Sequence, residues 1–235
     1  MIGMERTWIQ VLPWMTLFAG AMALLESAVV VYLRALYYPD GFAFPLGPID
    51  PAIAATEIGR ELATLVMLFA PAALVTRSAL QRFAWFAFCF GIWDIFYYVL
   101  LRILIGWPAS LTEWDLLFLV PLPWVGPVWA PILISVGLIL LAVLILHGSA
   151  CARRAVHDRY TWGLLLLSAA LFLTSFILEP VRWLSANGEP MLGTSAVNAF
   201  LAGFVPTTYP WPLALAGAAL GSSGLFRLAV RKIGR

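Results

Sequence analysis

The chain has 235 residues, of which 63% are apolar and 11% are charged, whereas a soluble domain is about 45–50% apolar and about 25% charged. Its 14 basic and 12 acidic side chains are too few to cover a water-soluble fold of this length. This composition excludes a soluble enzyme, a disordered protein and a nucleic-acid binder, and it indicates that lipid surrounds much of the surface.

Six continuous apolar stretches are long enough to cross a bilayer. The hydrocarbon core is about 30 Å thick, so a spanning helix needs about 20 mainly apolar residues. We therefore expect an all-α bundle of six transmembrane helices, in which residues 1–235 form a single domain. The predicted spans are Trp14–Leu33, Ala52–Val75, Phe83–Ile105, Pro127–His147, Thr161–Leu178 and Trp211–Val230.

The direction of the spans follows from the basic residues, because positively charged connections stay in the cytoplasm. Ten of the 14 lie on the N-terminal side, namely Arg6, Arg77, Arg82, Arg153, Arg154, Arg159, Arg227, Arg231, Lys232 and Arg235. We expect a protein of a plasma (inner) membrane with both termini in the cytoplasm. Cys89 and Cys151 then fall on the reducing side, so no disulfide is expected. A signal peptide cleaved after Ala23 is the alternative for the start, but the apolar run continues to Leu33, which favours a span.

Two segments on the predicted outer side are not expected to span the membrane, because Gly106–Pro131 is too polar at its start and Ser195–Val205 is too short. Ser110 and Glu113 form a capping-box pattern, which predicts a helix that begins at Leu111. This helix would lie in the interface as an anchor, or over an outward-facing cavity as a lid, and its Trp content favours the anchor. The stretch Ser195–Val205 is expected to be interfacial or re-entrant. The third outer segment, Tyr37–Pro51, is predicted to be an irregular loop.

Several ionisable residues lie inside the predicted spans, where each costs about 2.5–3.5 kcal/mol on insertion scales and is a functional candidate. Residues three and four apart share a helix face, so the second and third spans each carry a polar stripe. If these faces point inward, spans one, two, three and five enclose a polar pocket that opens outward. The candidate binding residues are Glu26, Glu57, Arg60, Glu61, Asp94, Tyr98 and Arg102.

The alternative for these residues is structural. Together with Arg34, Glu179 and Arg182 near the outer ends of the spans, they would form an ion-pair network that holds the bundle together. For the deepest groups, the sequence favours neither interpretation over the other.

No motif identifies a cofactor, a metal or a catalytic residue. Metal and haem sites usually need clustered His or Cys, whereas His147 and His157 lie at the cytoplasmic turn, away from the acidic stripes. We therefore expect no cofactor and no bound metal, and the catalytic residues of any enzyme activity stay unknown. Gly217 and Gly221 form a small-residue face on the last span, which allows close packing within the bundle or in a homodimer.

Three functions are compatible with the sequence. The chain is expected to be a small transporter, or a solute- or lipid-binding protein, with an outward-facing charged pocket. The alternative is a non-catalytic subunit of a larger membrane complex, in contact with lipids and other subunits. A membrane-embedded enzyme acting on a lipid or isoprenoid is the third hypothesis, and the lack of a nucleophile or metal site makes it the least favoured.

Overall fold

The computed structural model describes residues 8–39, 41–150 and 158–230 of the chain. In chain order its elements are α1 (Trp8–Tyr37), α2 (Pro51–Val75), α3 (Ala79–Ile105), β1 (Trp114–Phe118), β2 (Trp124–Pro127), α4 (Trp129–Ala150), α5 (Arg159–Ala186), α6 (Thr194–Gly203) and α7 (Trp211–Val230). All helices except α6 are long and apolar enough to cross a membrane. The predicted all-α bundle of six spanning helices is confirmed.

One end of the bundle carries a pair of strands, and the other end carries four of the described arginine residues. The strand pair β1–β2 lies at the end where α1, α3 and α5 finish, which we call the hairpin end. Arg77, Arg82, Arg159 and Arg227 lie at the opposite end. The other residues on which the predicted orientation depends, and two more from the same end, lie outside the described ranges: Arg6, Arg153, Arg154, Arg231, Lys232, Arg235, Cys151 and His157.

Local side-chain chemistry fixes the ends of α2 and α3, which carry most of the candidate residues. The carboxylate of Asp50 accepts the Ala52 N–H at 2.7 Å and so caps the first turn of α2. Ser78 occupies the same position before α3, where its hydroxyl accepts the Gln81 N–H at 3.5 Å. Helix α3 ends at Gly106, whose φ of 72° is a left-handed conformation that glycine adopts without strain.

The interfacial helix predicted from Leu111 is wrong, because that segment forms an antiparallel hairpin. The capping-box carboxylate of Glu113 accepts the Ala109 N–H at 2.9 Å, and the chain then continues as β1, which pairs with β2. In an apolar surrounding, the backbone N–H and C=O groups must form hydrogen bonds within the protein. Two short strands that pair with each other meet this requirement without forming a helix. The hairpin is packed inside the protein, with Asp115 only 2% exposed, so the segment is not a surface anchor.

The second short outer element is a helix. Helix α6 covers 10 residues, about 15 Å at 1.5 Å per residue, which is half of a membrane span. Its residues Val197 and Phe200 pack into an apolar cluster with Val125 of β2 and Leu184 of α5. The loop before α2 is irregular, as predicted, and its Gly47 N–H donates to the Leu201 carbonyl of α6 at 2.8 Å.

Glycine residues set the closest helix contacts. A Cβ atom at Gly217 would lie 3.0 Å from the Phe172 ring of α5, and one at Gly221 would lie 2.8 Å from the Ser168 hydroxyl. The small-residue face of α7 thus packs against α5 of the same chain. Between α3 and α4 the approach is equally close, because a Cβ at Gly91 would lie 2.7 Å from the Ser135 carbonyl oxygen.

We expect Gly91→Ala to destabilise the bundle by about 1–3 kcal/mol, because the added methyl group meets backbone that cannot move away cheaply. The control is Gly137→Ala on α4, where nothing lies within 4 Å of the added Cβ. Unfolding of both variants in mixed detergent micelles measures the difference. Equal stabilities would contradict the close packing of α3 on α4.

Candidate intramembrane binding site

A cavity of about 140 Å³ lies between the helices and the hairpin. Glu26 lies 11 residues from the hairpin end of α1, Glu61 lies 10 from that end of α2, and Asp94 lies 11 from that end of α3. At 1.5 Å per residue these carboxylates each lie about 15 Å from the hairpin end of a helix that is roughly 40 Å long, so they are inside the spans and nearer to the hairpin end than to the opposite end. The polar groups in the wall are Glu26, Arg60, Glu61, Thr64, Asp94, Tyr97, Tyr98, Asp115 and Ser135.

One face of α2 carries the first group of charges. Glu57, Arg60, Glu61 and Thr64 are spaced three and four residues apart, so their side chains share this face. Arg60 Nε donates to Glu57 Oε2 at 2.7 Å, and a terminal nitrogen of the same guanidinium pairs with the Glu26 carboxylate of α1. Arg60 is therefore shared between two carboxylates and has no unpaired charge to offer a ligand.

Glu61 connects α2 to the hairpin. The backbone N–H of Leu119, directly after β1, donates to both carboxylate oxygens of Glu61, at 3.0 and 2.9 Å. Leu119 is buried, so this N–H would otherwise lack a partner in an apolar surrounding. Glu61 thus holds the hairpin against the middle of the bundle.

Asp94 connects α3 to α4. Its Oδ2 accepts a hydrogen bond from the Ser135 hydroxyl at 2.8 Å, one turn beyond the close approach at Gly91. The side chain is 8% exposed. No residue in the described part of the chain donates to the other oxygen of Asp94, and none forms an ion pair with it.

Asp115 of β1 is a site residue that the sequence analysis missed. Tyr98 of α3 donates its hydroxyl to Asp115 Oδ2 at 3.0 Å, and Arg34 of α1 lies 3.9 Å from Oδ1. The Arg34 guanidinium is held between the rings of Phe42 and Trp107, at 3.9 and 3.8 Å from their centroids. Burial raises the pKa of Asp115 to about 6, although Arg34 and the Tyr98 hydrogen bond act in the opposite direction.

The structure brings together most of the predicted candidates. Glu26, Arg60, Glu61, Asp94 and Tyr98 line the cavity, and Glu57 is joined to it through Arg60. Arg102 is not in the wall, since its exposed guanidinium donates to the carbonyl oxygens of Gly106 and Pro108 at the end of α3. The pair Glu179–Arg182 is likewise away from the cavity, and α5 contributes only the ring of Phe176.

The remaining walls differ from those expected. The hairpin and α4 form the walls that the fifth span was expected to form, and Ser135 is the polar side chain that α4 contributes. The apolar part of the wall is largely aromatic and comprises Phe90, Trp93, Phe118, Trp124 and Phe176. Within the described ranges, no group of three or more His, Cys, Asp and Glu side chains is arranged to hold a metal ion.

The chain matches no protein-family model, no curated protein and no solved structure.

Replacing Glu61 tests how the hairpin is held. We expect Glu61→Ala to destabilise the protein by about 1–3 kcal/mol, because the buried Leu119 N–H loses its acceptor. Hydrogen–deuterium exchange of the peptide covering β1 and β2 should be faster in this variant. Glu61→Gln keeps a carbonyl oxygen as acceptor and should retain most of the protection. Unchanged exchange in Glu61→Ala would mean that this carboxylate does not hold the hairpin.

Asp115 gives the stability a pH dependence of known sign. The folded chain binds the Asp115 proton more tightly than an unfolded chain, in which the ordinary pKa is 3.8. The stability from this group is therefore fully present below about pH 4 and decreases as the pH rises towards 6 and above. At about 1.4 kcal/mol per pKa unit, the loss is at most about 3 kcal/mol.

The Asp115→Asn variant lacks this titration, and the other groups titrate in both proteins. The difference in unfolding free energy between wild type and variant should change between pH 4 and pH 7 in mixed micelles, with the wild type losing more. A pH-independent difference would argue against a buried Asp115.

Proposed function

We propose that this chain is a small membrane transporter or solute-binding protein whose ligand occupies the cavity. The observation that carries this proposal is a cavity of about 140 Å³ that lies inside the spanning helices and is lined by ionisable side chains. Transporters bind their substrates near the bilayer midplane, and ionisable groups at that depth are functional candidates by default. An engineered cavity of about 150 Å³ holds a benzene molecule, so a solute of similar size fits.

A purely structural role for the charges explains part of the site. Glu26, Glu57 and Arg60 join α1 and α2 as an ion-pair cluster. Asp94 is different, because it lines the cavity without an ionic partner among the described side chains. Intramembrane hydrogen bonds contribute about 0.6 kcal/mol on average, which is less than the cost of about 2.5–3.5 kcal/mol for placing an acid inside a span. Binding of a ligand by this carboxylate would explain why an acid occupies the position.

The hypothesis of an enzyme acting on a lipid or isoprenoid has less support. Such an enzyme would hold an anionic head group with an arginine, and the one arginine in the cavity wall, Arg60, is paired with two carboxylates. The subunit hypothesis differs from the transporter hypothesis in that it predicts no binding of a solute in the cavity.

We further propose that the protein lies in a plasma (inner) membrane with both termini in the cytoplasm. The described arginines of the end opposite to the hairpin, Arg77, Arg82, Arg159 and Arg227, support this orientation through the positive-inside rule. The hairpin end then faces outward.

A cavity-filling substitution tests the proposal. Ile134 of α4 lines the cavity, whereas its neighbour Leu133 is exposed on the outside of the bundle. We expect small solutes of at least one charge class to raise the thermal midpoint of the purified protein and to enter proteoliposomes that contain it. Ile134→Trp should abolish both effects, and Leu133→Trp should leave them unchanged. If no solute acts on the wild type, or if Ile134→Trp responds like the wild type, the cavity is not a solute site and the subunit hypothesis gains.

A further inference from the structure

The cavity has a marked excess of acidic groups. Its immediate surroundings contain two guanidinium groups, those of Arg34 and Arg60, and five carboxylates, those of Glu26, Glu57, Glu61, Asp94 and Asp115. Arg60 is already shared by two of these acids, and Arg34 is closest to Asp115. Carboxylates in a low-dielectric interior need a proton or a cationic partner. The site therefore selects against anions and has room for at least one positive charge.

Two carboxylates are available for that charge. Asp94 accepts only the Ser135 hydroxyl, and Glu61 accepts only the Leu119 N–H, among the hydrogen bonds of the described chain. Neither forms an ion pair with a described basic residue. Each retains lone pairs that can accept from a donor, because an ionised carboxylate has about four acceptor sites. A primary ammonium group carries three donors and no acceptor, so it complements these acids by hydrogen bonds and by charge, whereas a quaternary ammonium ion has no N–H and complements them by charge alone.

The aromatic wall favours an organic cation over a metal ion. The Phe118 ring centroid lies 6.3 Å from those of Phe90 and Trp93 and 5.5 Å from that of Trp124. Trp124 in turn stacks with Phe176 at 6.5 Å, so the rings form one continuous surface. Ring faces attract ammonium groups and provide no ligand oxygen for a hard metal ion.

From these walls, and resting on the proposed function, we infer that the ligand is a small organic cation, an amine or a quaternary ammonium ion. Its positive centre lies between the carboxylates of Asp94 and Glu61 and the aromatic surface around Phe118. A volume of about 140 Å³ suits a charged nitrogen with a few carbon atoms.

An isosteric series tests the sign of the charge. The probes are tert-butylammonium and tetramethylammonium as cations, tert-butanol as the neutral form and pivalate as the anion, all of similar size. Binding is followed by the change in tryptophan fluorescence and by the thermal midpoint of the detergent-solubilised wild type. We expect the two cations to bind at least tenfold more tightly than tert-butanol and pivalate.

Matched variants then locate the binding site. Asp94→Asn should weaken cation binding at least tenfold, whereas Glu179→Gln, an equal loss of charge at a carboxylate outside the cavity wall, should not. Ile134→Trp should abolish binding of every probe. Should Asp94→Asn fail to fold, the order of the four probes on the wild type still decides the question.

The outcomes separate the inference from the proposed function. Stronger binding of tert-butanol or pivalate, lost in Ile134→Trp, would overturn the cation inference and leave the solute site standing. Failure of both cations to bind the wild type would also overturn the inference. Failure of all four probes and of the wider solute panel would remove the proposed function as well.

Discussion

Non-helical backbone can lie at membrane depth only where other groups satisfy its N–H and C=O groups, and this constraint governs the hairpin between α3 and α4. Strands β1 and β2 satisfy each other, and the N–H groups of Val128 and Trp129 donate to the carbonyls of Glu113 and Leu111, both at 2.9 Å. Leu119, at the deep end of β1, is left without a strand partner, and the Glu61 carboxylate takes its N–H. An acid in the middle of α2 is thus what allows the hairpin to enter the bundle.

The inserted hairpin explains the shape of the cavity. Ser135 lies six residues from the start of α4, whereas its partner Asp94 lies 11 residues from the hairpin end of α3. At 1.5 Å per residue, α4 therefore begins several ångströms deeper than α3 ends, and the hairpin fills the space above it. The space left between the hairpin and the helices is the cavity, and it is bordered by carboxylates that hold the surrounding elements together.

The six spanning helices could be predicted from the sequence, because a helix needs about 20 apolar residues to cross the bilayer core and the chain has six such runs. The stripes on α2 and α3 followed from helical spacing. The hairpin could not be predicted, because its pairing joins β1 to residues several positions further on, and a short apolar run does not distinguish strand from helix. Asp115 was missed for this reason. Arg102 was predicted from its spacing to share the Tyr98 face, but its guanidinium donates to the carbonyl oxygens of Gly106 and Pro108, which follow α3, and so it does not line the cavity.

Arg34 shows that this part of the protein already holds a cation by the chemistry inferred for the ligand. Its guanidinium lies 3.8 and 3.9 Å from two ring centroids, and its nearest carboxylate, Asp115, is 3.9 Å away. Its Nε has no hydrogen-bond partner in the described part of the chain. The contacts are thus mainly with ring faces, and the carboxylate supplies attraction from a longer distance. Asp115 also lines the cavity, where Phe118 and Trp124 provide further ring surface and Asp94 a further carboxylate. An ammonium ion in that space would contact the same two kinds of partner, ring faces and a carboxylate. Because it is not attached to the chain, it could approach both more closely than the guanidinium of Arg34 does.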